Sequence, residues 1–273
     1  MTTVFDVLLQ TARALEALQE GTASAASASA TTLTDAQLAT RGFQTDNFFV
    51  GGTLLYQSAT AANRASRRVS GYTGATGALT LESALAETPA LGARYGVLTR
   101  RYPREVMAGK LNEALAELGD VGTVDTTLTT ATNTLEYSLP VAAKRDLRQV
   151  WLARALAAPY DWERQLRVRT EWTAASVAGT LLFPEQPRAG YKIKLVYLAA
   201  HAAVAADADA LSDYLALEWL ALAAAEKCVR WRLEGPGSDE RDLTALLNNL
   251  TLRLAQARGR HPVTVPARFP VLA

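Results

Sequence analysis

Residues 191–233 read YKIKLVYLAAHAAVAADADALSDYLALEWLALAAAEKCVRWRL, and the rest of the chain is arranged around how this stretch folds. Tyr191, Ile193, Leu195 and Tyr197 alternate with Lys192 and Lys194, so a strand here has one apolar face and one wet face. Asp207, Asp209 and Ser212 follow, offering side-chain oxygens where a helix begins and its first N–H groups lack partners. From Leu211 onward Leu215, Leu222 and Val229 mark one stripe, while Leu217, Trp219 and Leu220 lie off it. The pattern predicts a long helix, apolar over much of its circumference and covered on several sides. Ala221, Ala223, Ala224 and Ala225 remove bulk, so another helix can approach closely and no side-chain-rich active site fits there.

Working upstream, Phe5, Leu8, Ala12, Leu15 and Leu18 recur at helical spacing, which predicts a first helix over 3–20 stopped by Gly21. Residues 22–34, TASAASASATTLT, are small and polar and read as a strand or an extended arm. From Asp46 to Leu98, short runs rich in Phe, Val, Leu and Tyr alternate with Gly, Asn and Ser clusters, as small antiparallel strands joined by tight turns do. Gly71, Gly74 and Gly77 fit neither a dinucleotide fingerprint nor a phosphate loop and read as turn positions with positive φ. Pro103 opens a helix striped by Met107, Leu111, Ala114, Leu115 and Leu118, and Gly119 ends it. Strand candidates follow at 135–139, 146–156, 164–172 and 179–187, and residues 191–197 are expected to close the sheet.

Downstream, Gly235-Pro236-Gly237 forces a turn, Ser238 serves as N-cap, and Leu243, Leu246, Leu247, Leu250 and Leu254 form one stripe. This predicts an antiparallel helix pair. The tail RHPVTVPARFPVLA holds three prolines, each removing a backbone donor, and reads as an extended arm. The whole predicts an α+β fold: a helical bundle of four main helices with antiparallel β modules inserted and an extended C-terminal arm. The expected parts are a helical core (1–20, 103–120, 211–260), a β module (21–102), an antiparallel β region (121–200) and the arm (261–273).

The 273 residues carry 28 Lys and Arg against 27 Asp and Glu, a formal net charge of +1 that argues against bulk electrostatic binding to nucleic acid or anionic membrane. One cysteine, Cys228, allows no internal disulfide and reads as a buried core residue. The first 21 residues lack the basic and cleavage regions of a signal peptide, and no run has the roughly 20 apolar residues of a membrane span. Asp207, Asp209 and Asp213 have the spacing to share a hard cation, but no glycine-bent loop or bidentate glutamate completes a calcium pattern, and helix capping accounts for them. His201 and His261 lie far apart without a ligand cluster, no nucleophile elbow is present, and Asn249-Leu-Thr251 falls within a helix. These readings predict a protein without catalytic residues, cofactor or metal.

Two resemblances add to this. Asp46, Phe48, Gly51, Gly52, Arg68, Val69, Tyr72, Gly74, Ala75, Thr76, Gly77, Pro89, Ala90, Tyr95 and Val97 resemble a pattern of tailed-bacteriophage virion proteins, which implies a small β module used as spacer or contact surface. Residues 146–258, with the strand 192–197, Asp207-x-Asp209, Glu218-x-Leu220, Ala223-Ala224 and Arg230, resemble the head–tail connector or adaptor proteins of tailed phages. That resemblance implies a ring, usually of twelve copies, between the portal and the tail or neck, assembled in the host cytoplasm, with genomic DNA passing through its lumen. It makes the portal protein and a downstream tail protein the expected partners. The portal-docking arm would then be His261, Pro262, Val263, Val265, Pro266, Arg268, Phe269 and Pro270. Arg64, Arg67, Arg68, Arg100, Arg101 and Arg104 read either as solvated surface or as lumen residues making weak, sequence-independent phosphate contacts. The alternative is a baseplate or tail-surface component binding a host receptor or glycan, with Trp151, Trp162 and Trp172 as stacking platforms; a hydrolase with an unmarked site is the third.

Overall fold

The structure is a computed structural model that describes residues 2–43, 45–144, 146–172, 179–235, 240–262 and 265–267. The chain divides into two compact units, one of Met1–Glu117, Ala203–Leu211 and Ala216–Pro262, the other of Leu118–Ala202, Ser212–Leu215 and Val263–Ala273.

In the first unit, helix α1 (Val4–Ala14) opens with a capping box: the Thr3 hydroxyl accepts the Asp6 N–H, and the Asp6 carboxylate accepts the Thr3 N–H at 3.1 Å. Phe5, Leu8 and Ala12 are buried as their spacing predicts. The helix ends well short of Gly21, because the backbone leaves helical space at Glu16, whose φ is +55°. Gly21 is instead a residue of strand β1 (Gln19–Thr22), opposite Tyr95. Next come β2 (Thr32–Thr34), the short helix α2 (Ala36–Thr40), β3 (Thr53–Gln57), β4 (Ala65–Thr73), β5 (Ala78–Leu81) and β6 (Arg94–Val97). These strands form one curled antiparallel sheet in the order β1-β6-β3-β4-β5-β2.

The two edges of this sheet are consecutive strands, and residues between and beside them join the ends. The Ser24 N–H donates to the Thr34 carbonyl at 2.9 Å, and buried Asp35 accepts the Gln37 N–H on one oxygen and the Tyr95 hydroxyl, at 2.7 Å, on the other. A Cβ on Gly21 would stand 2.5 Å from that Asp35 oxygen, so only glycine fits the seam. Leu33, Phe49, Leu54, Val69, Leu79 and Tyr95 fill the interior. Of the three regularly spaced glycines only Gly77 has positive φ; Gly71 lies within β4 beside a register shift against β5.

Helix α3 (Arg104–Glu117) buries Met107, Leu111, Ala114 and Leu115. Helix α4 (Leu217–Glu234) packs on α1, α3 and α5 (Glu240–Arg260), which is why it is apolar nearly all round. Its alanine run lets α1 come close enough for the Thr11 hydroxyl to donate to the Ala221 carbonyl at 3.3 Å. Helices α4 and α5 are antiparallel: Glu218 at the start of one meets Arg260 at the end of the other at 3.7 Å. Helix α4 begins at Leu217 rather than Leu211, and its N-cap, Ala216, makes no side-chain hydrogen bond. Asp207, Asp209 and Ser212 therefore do not cap it. Ser238 lies outside the described residues.

The second unit holds β7 (Asp120–Asp125), β8 (Glu136–Leu139), β9 (Asp146–Ala153), β10 (Trp162–Arg164), β11 (Arg169–Trp172), β12 (Gly179–Leu182) and β13 (Ile193–Ala200). They make a four-stranded sheet, β10-β9-β13-β7, and a three-stranded one, β11-β12-β8. Ile193, Leu195 and Tyr197 pack with Tyr137, Val150 and Leu181 in a shared core. Strand β13 is an interior strand paired on both sides, not the closing edge expected of it.

The expectation of a helical bundle with inserted β modules is overturned: the described residues are mostly β, thirteen strands in three antiparallel sheets, with about 30% helix in five helices. Two physical causes account for the error. The helices are shorter than their apolar stripes, since backbone turns at Glu16 and before Leu217 cut them. Several strands, Gln19–Thr22 and Trp162–Arg164 among them, are short and polar and carry no period-two signal.

Candidate functional site

The six arginines proposed to face a lumen separate in the structure. Arg104 donates to the Ser66 hydroxyl at 2.7 Å, the Ala205 carbonyl at 2.6 Å and Asp207 at 3.2 Å. Asp207 also accepts the Ser66 N–H at 2.7 Å and hydroxyl at 2.6 Å, and Arg67 stands 3.8 Å away. That carboxylate ties β4 and α3 to the segment 203–211, which is what it does in place of helix capping. Arg64 is held by Asp6 at 3.3 Å and by the Ser58 carbonyl. Arg68 faces Glu82 at 3.9 Å with both side chains more than half exposed, a contact worth little. Arg100 and Arg101 remain as exposed neighbours on the rim of a groove.

This groove, about 890 Å³, lies within the first unit. The chain reaches it through a tight loop before β3. Asn47, at φ +62°, donates its N–H to the Tyr72 carbonyl, and Gly51, at φ +79°, donates to the Val69 carbonyl. A Cβ on Gly52 would lie 1.9 Å from the Leu98 carbonyl oxygen, so the loop sits directly on the backbone after β6. Asp46 accepts the Gly74 N–H at 2.7 Å. The loop presents an aromatic cluster in which Phe43, Phe48, Phe49 and Tyr72 touch at centroid distances of 5.0–5.2 Å, in tilted and edge-on pairs. Phe49 points into the core, whereas Phe48 is 42% exposed. Opposite stand Leu15, Ala17 and Tyr102, with Leu243 and Leu246 from the first turns of α5.

The rim carries Glu16, Asp46 and Asp242 against Arg100 and Arg101. Burial raises the pKa of Tyr72 and Tyr102, so both phenols stay neutral. With apolar side chains, the neutral Tyr102 hydroxyl and a charged rim, the groove is suited to holding a macromolecular segment.

A second cleft, about 650 Å³, lies between α1 and the curled sheet. At its centre the Glu87 carboxylate accepts hydrogen bonds from Ser58 at 2.6 Å, from Asn63 and from Tyr56 at 3.0 Å. These donors, Ser58 foremost, hold its pKa below the usual carboxylate range, while burial, aided by Glu87, pushes the Tyr56 phenol up to about 12. An acid held ionised by three donors is poorly placed to give up a proton.

The remaining sequence candidates are dispersed. Trp151 and Trp162 stand on one side of the four-stranded sheet with the Lys194 ammonium 4.6 and 4.7 Å from their ring centroids. The lysine covers ring surface that a sugar would need for stacking. The Trp172 side chain lies outside the described residues. His201 donates from Nδ1 to the Ala202 carbonyl at 2.7 Å and accepts the Ser212 N–H on Nε2 at 3.3 Å. Asp209 accepts the Ala205 and Ala206 N–H groups, which lower its pKa, and no group of three metal-ligating side chains occurs among the described residues. Burial pushes the Cys228 thiol up to about 12.

Of the proposed docking arm, His261 still donates its N–H to the Ala257 carbonyl at the end of α5, and its ring stands 3.4 Å from Glu218. Pro266 is buried between exposed Val265 and Ala267, and the Ala267 carbonyl accepts the Gln149 side-chain amide at 2.9 Å. Val263, Arg268, Phe269 and Pro270 lie outside the described residues.

Among the described residues no helix is long and apolar enough to cross a membrane. No family model matches the chain, and no curated protein matches it in sequence. The groove escaped the sequence reading because its walls come from residues 15–17, 43–50, 99–102 and 242–246. Its one local signal was the Phe48-Phe49 pair before Gly51-Gly52.

Proposed function

We propose that the chain is a structural virion protein of a tailed phage, a head-to-tail adaptor that assembles as a ring between the portal and the tail. The single observation that carries this reading is the apolar surface left uncovered on the first unit: Phe48, 42% exposed, in a groove also lined by the half-buried Leu243 and Leu246 of α5. Helix α5 buries only Leu250, Leu254 and Ala257 fully among its described side chains, a narrow strip for 21 residues. Contiguous apolar surface of this kind marks a macromolecular interface, and a heterologous contact that closes on itself generates a ring. The resemblance of residues 146–258 to connector proteins supplies the identity of the assembly and the expectation of a dodecamer.

The test is electron microscopy and co-sedimentation of the purified chain with a portal protein encoded beside it. Closed rings that migrate with the portal are expected. Single copies that ignore the portal would overturn the proposal. DNA contact in the lumen falls to Arg68, Arg100 and Arg101, since Arg64, Arg67 and Arg104 are engaged within the subunit.

A further inference from the structure

We propose that the Phe48 groove of one copy receives the segment 268–273, Arg-Phe-Pro-Val-Leu-Ala, of a neighbouring copy, so that exchange of this tail joins adjacent subunits. The occupant follows from complementarity between the groove and this stretch of sequence. Leu15, Phe43, Phe48, Val50, Leu243 and Leu246 give an apolar wall with exposed aromatic surface. Pro270 lies within the segment, and proline fixes φ and removes a backbone donor. A proline-punctuated segment loses little entropy on ordering and is recognised by aromatic-lined grooves. Arg268, beside Phe269, is the one charged side chain of the segment. The groove rim carries three carboxylates, Glu16, Asp46 and Asp242, against two guanidinium groups, Arg100 and Arg101, leaving a net negative charge to receive it.

Reach bounds the geometry. The Gln149 amide holds the Ala267 carbonyl, and the six residues 268–273 extend at most about 20 Å from that anchor. The inference rests on the adaptor reading for its ring, but the groove–tail contact is testable without one.

A fluorescent peptide of sequence PVTVPARFPVLA is titrated into the full chain carrying Phe269→Ala. Saturable binding is expected, weakened at least tenfold by Phe48→Ser in the protein and by Arg268→Glu in the peptide. Phe48 is half exposed, so its replacement leaves the fold intact, which a thermal melt checks. No binding, or binding indifferent to Phe48, overturns the proposal. In sedimentation, chains carrying Phe48→Ser or Phe269→Ala alone are expected to lose self-association, and a mixture of the two to form dimers through the one intact contact. Monomers in the mixture would mean that the tail folds back on its own chain. Intact rings of the Phe269→Ala chain that no longer hold the portal would mean that the tail's partner is the portal. Either result overturns the exchange. If the unaltered chain never forms rings yet binds the peptide through Phe48, the adaptor reading fails and the groove–tail contact stands.

Discussion

The Asp207 carboxylate accepts a hydrogen bond from the Arg104 guanidinium at 3.2 Å while also holding both the N–H and the hydroxyl of Ser66, so one nearly buried acid fastens a helix, a strand and a connecting segment together. Removing the acid takes the counter-charge from the largely buried Arg104 guanidinium, which keeps its bonds to Ser66 and Ala205, and leaves the Ser66 N–H without its acceptor. Asp207→Ala is expected to destabilise the first unit by about 3 kcal/mol or more, read as a lowered denaturant midpoint. Asp209→Ala, which frees two exposed N–H groups, should cost far less.

Gly52 sits where any side chain would enter the Leu98 carbonyl, 1.9 Å from the position of a Cβ. Backbone cannot rotate away as a side chain can. Gly52→Ala is therefore expected to yield little folded protein or to lower the melting temperature sharply, whereas Gly109→Ala, with open space around it, should be neutral or slightly stabilising.

Glu87 carries a pH signature. Its pKa is held below the usual carboxylate range by Ser58, Asn63 and Tyr56, so its stabilising contribution is present above that range and lost as pH falls through the folded-state value. The melting temperature of the unaltered chain should exceed that of Glu87→Gln at neutral pH, and the two should converge in acid. A gap that persisted at pH 2 would count against the hydrogen-bonded carboxylate as its cause.

Arg100 and Arg101 are exposed, whereas Arg104 is engaged within the fold. Replacing Arg100 and Arg101 together with alanine should weaken low-salt binding to duplex DNA and flatten its salt dependence without moving the melting temperature. Arg104→Ala should do the reverse.

Cys228, fully buried in α4 with its thiol pushed up to about 12, has almost no thiolate at neutral pH. A thiol-specific reagent should label it only when α4 opens. The labelling rate then reports unfolding of the helical layer, and rapid labelling of the native chain would contradict the packing.

How much was legible beforehand varies with the range of the interactions that decide each feature. The apolar face of β13, the stripes of α1 and α3 and the all-round burial of α4 follow from residue spacing, because side-chain direction along a helix or strand is a local matter. The ends of α1 and α4 did not, since Glu16 turns out of the helix beside a groove, Asp207 accepts from Ser66 and Arg104, and the Ser212 hydroxyl donates to the Gly122 carbonyl. Nor did the seam of the curled sheet, where Gly21 reads as a helix stop until Asp35 and Tyr95 are seen against it.

By itself the chain's order of residues determined which segments are apolar on one face, where glycine and proline interrupt them, and that a single cysteine permits no internal disulfide. Only the tertiary structure decided that the described residues are mostly β, which arginines are free to meet a partner, and that Phe48 lines a groove. Those outcomes depend on contacts between residues tens to hundreds of positions apart, such as Asp207 with Ser66 and Leu246 with Phe48's groove. No local pattern encodes which distant side chain will arrive at a given carboxylate or ring.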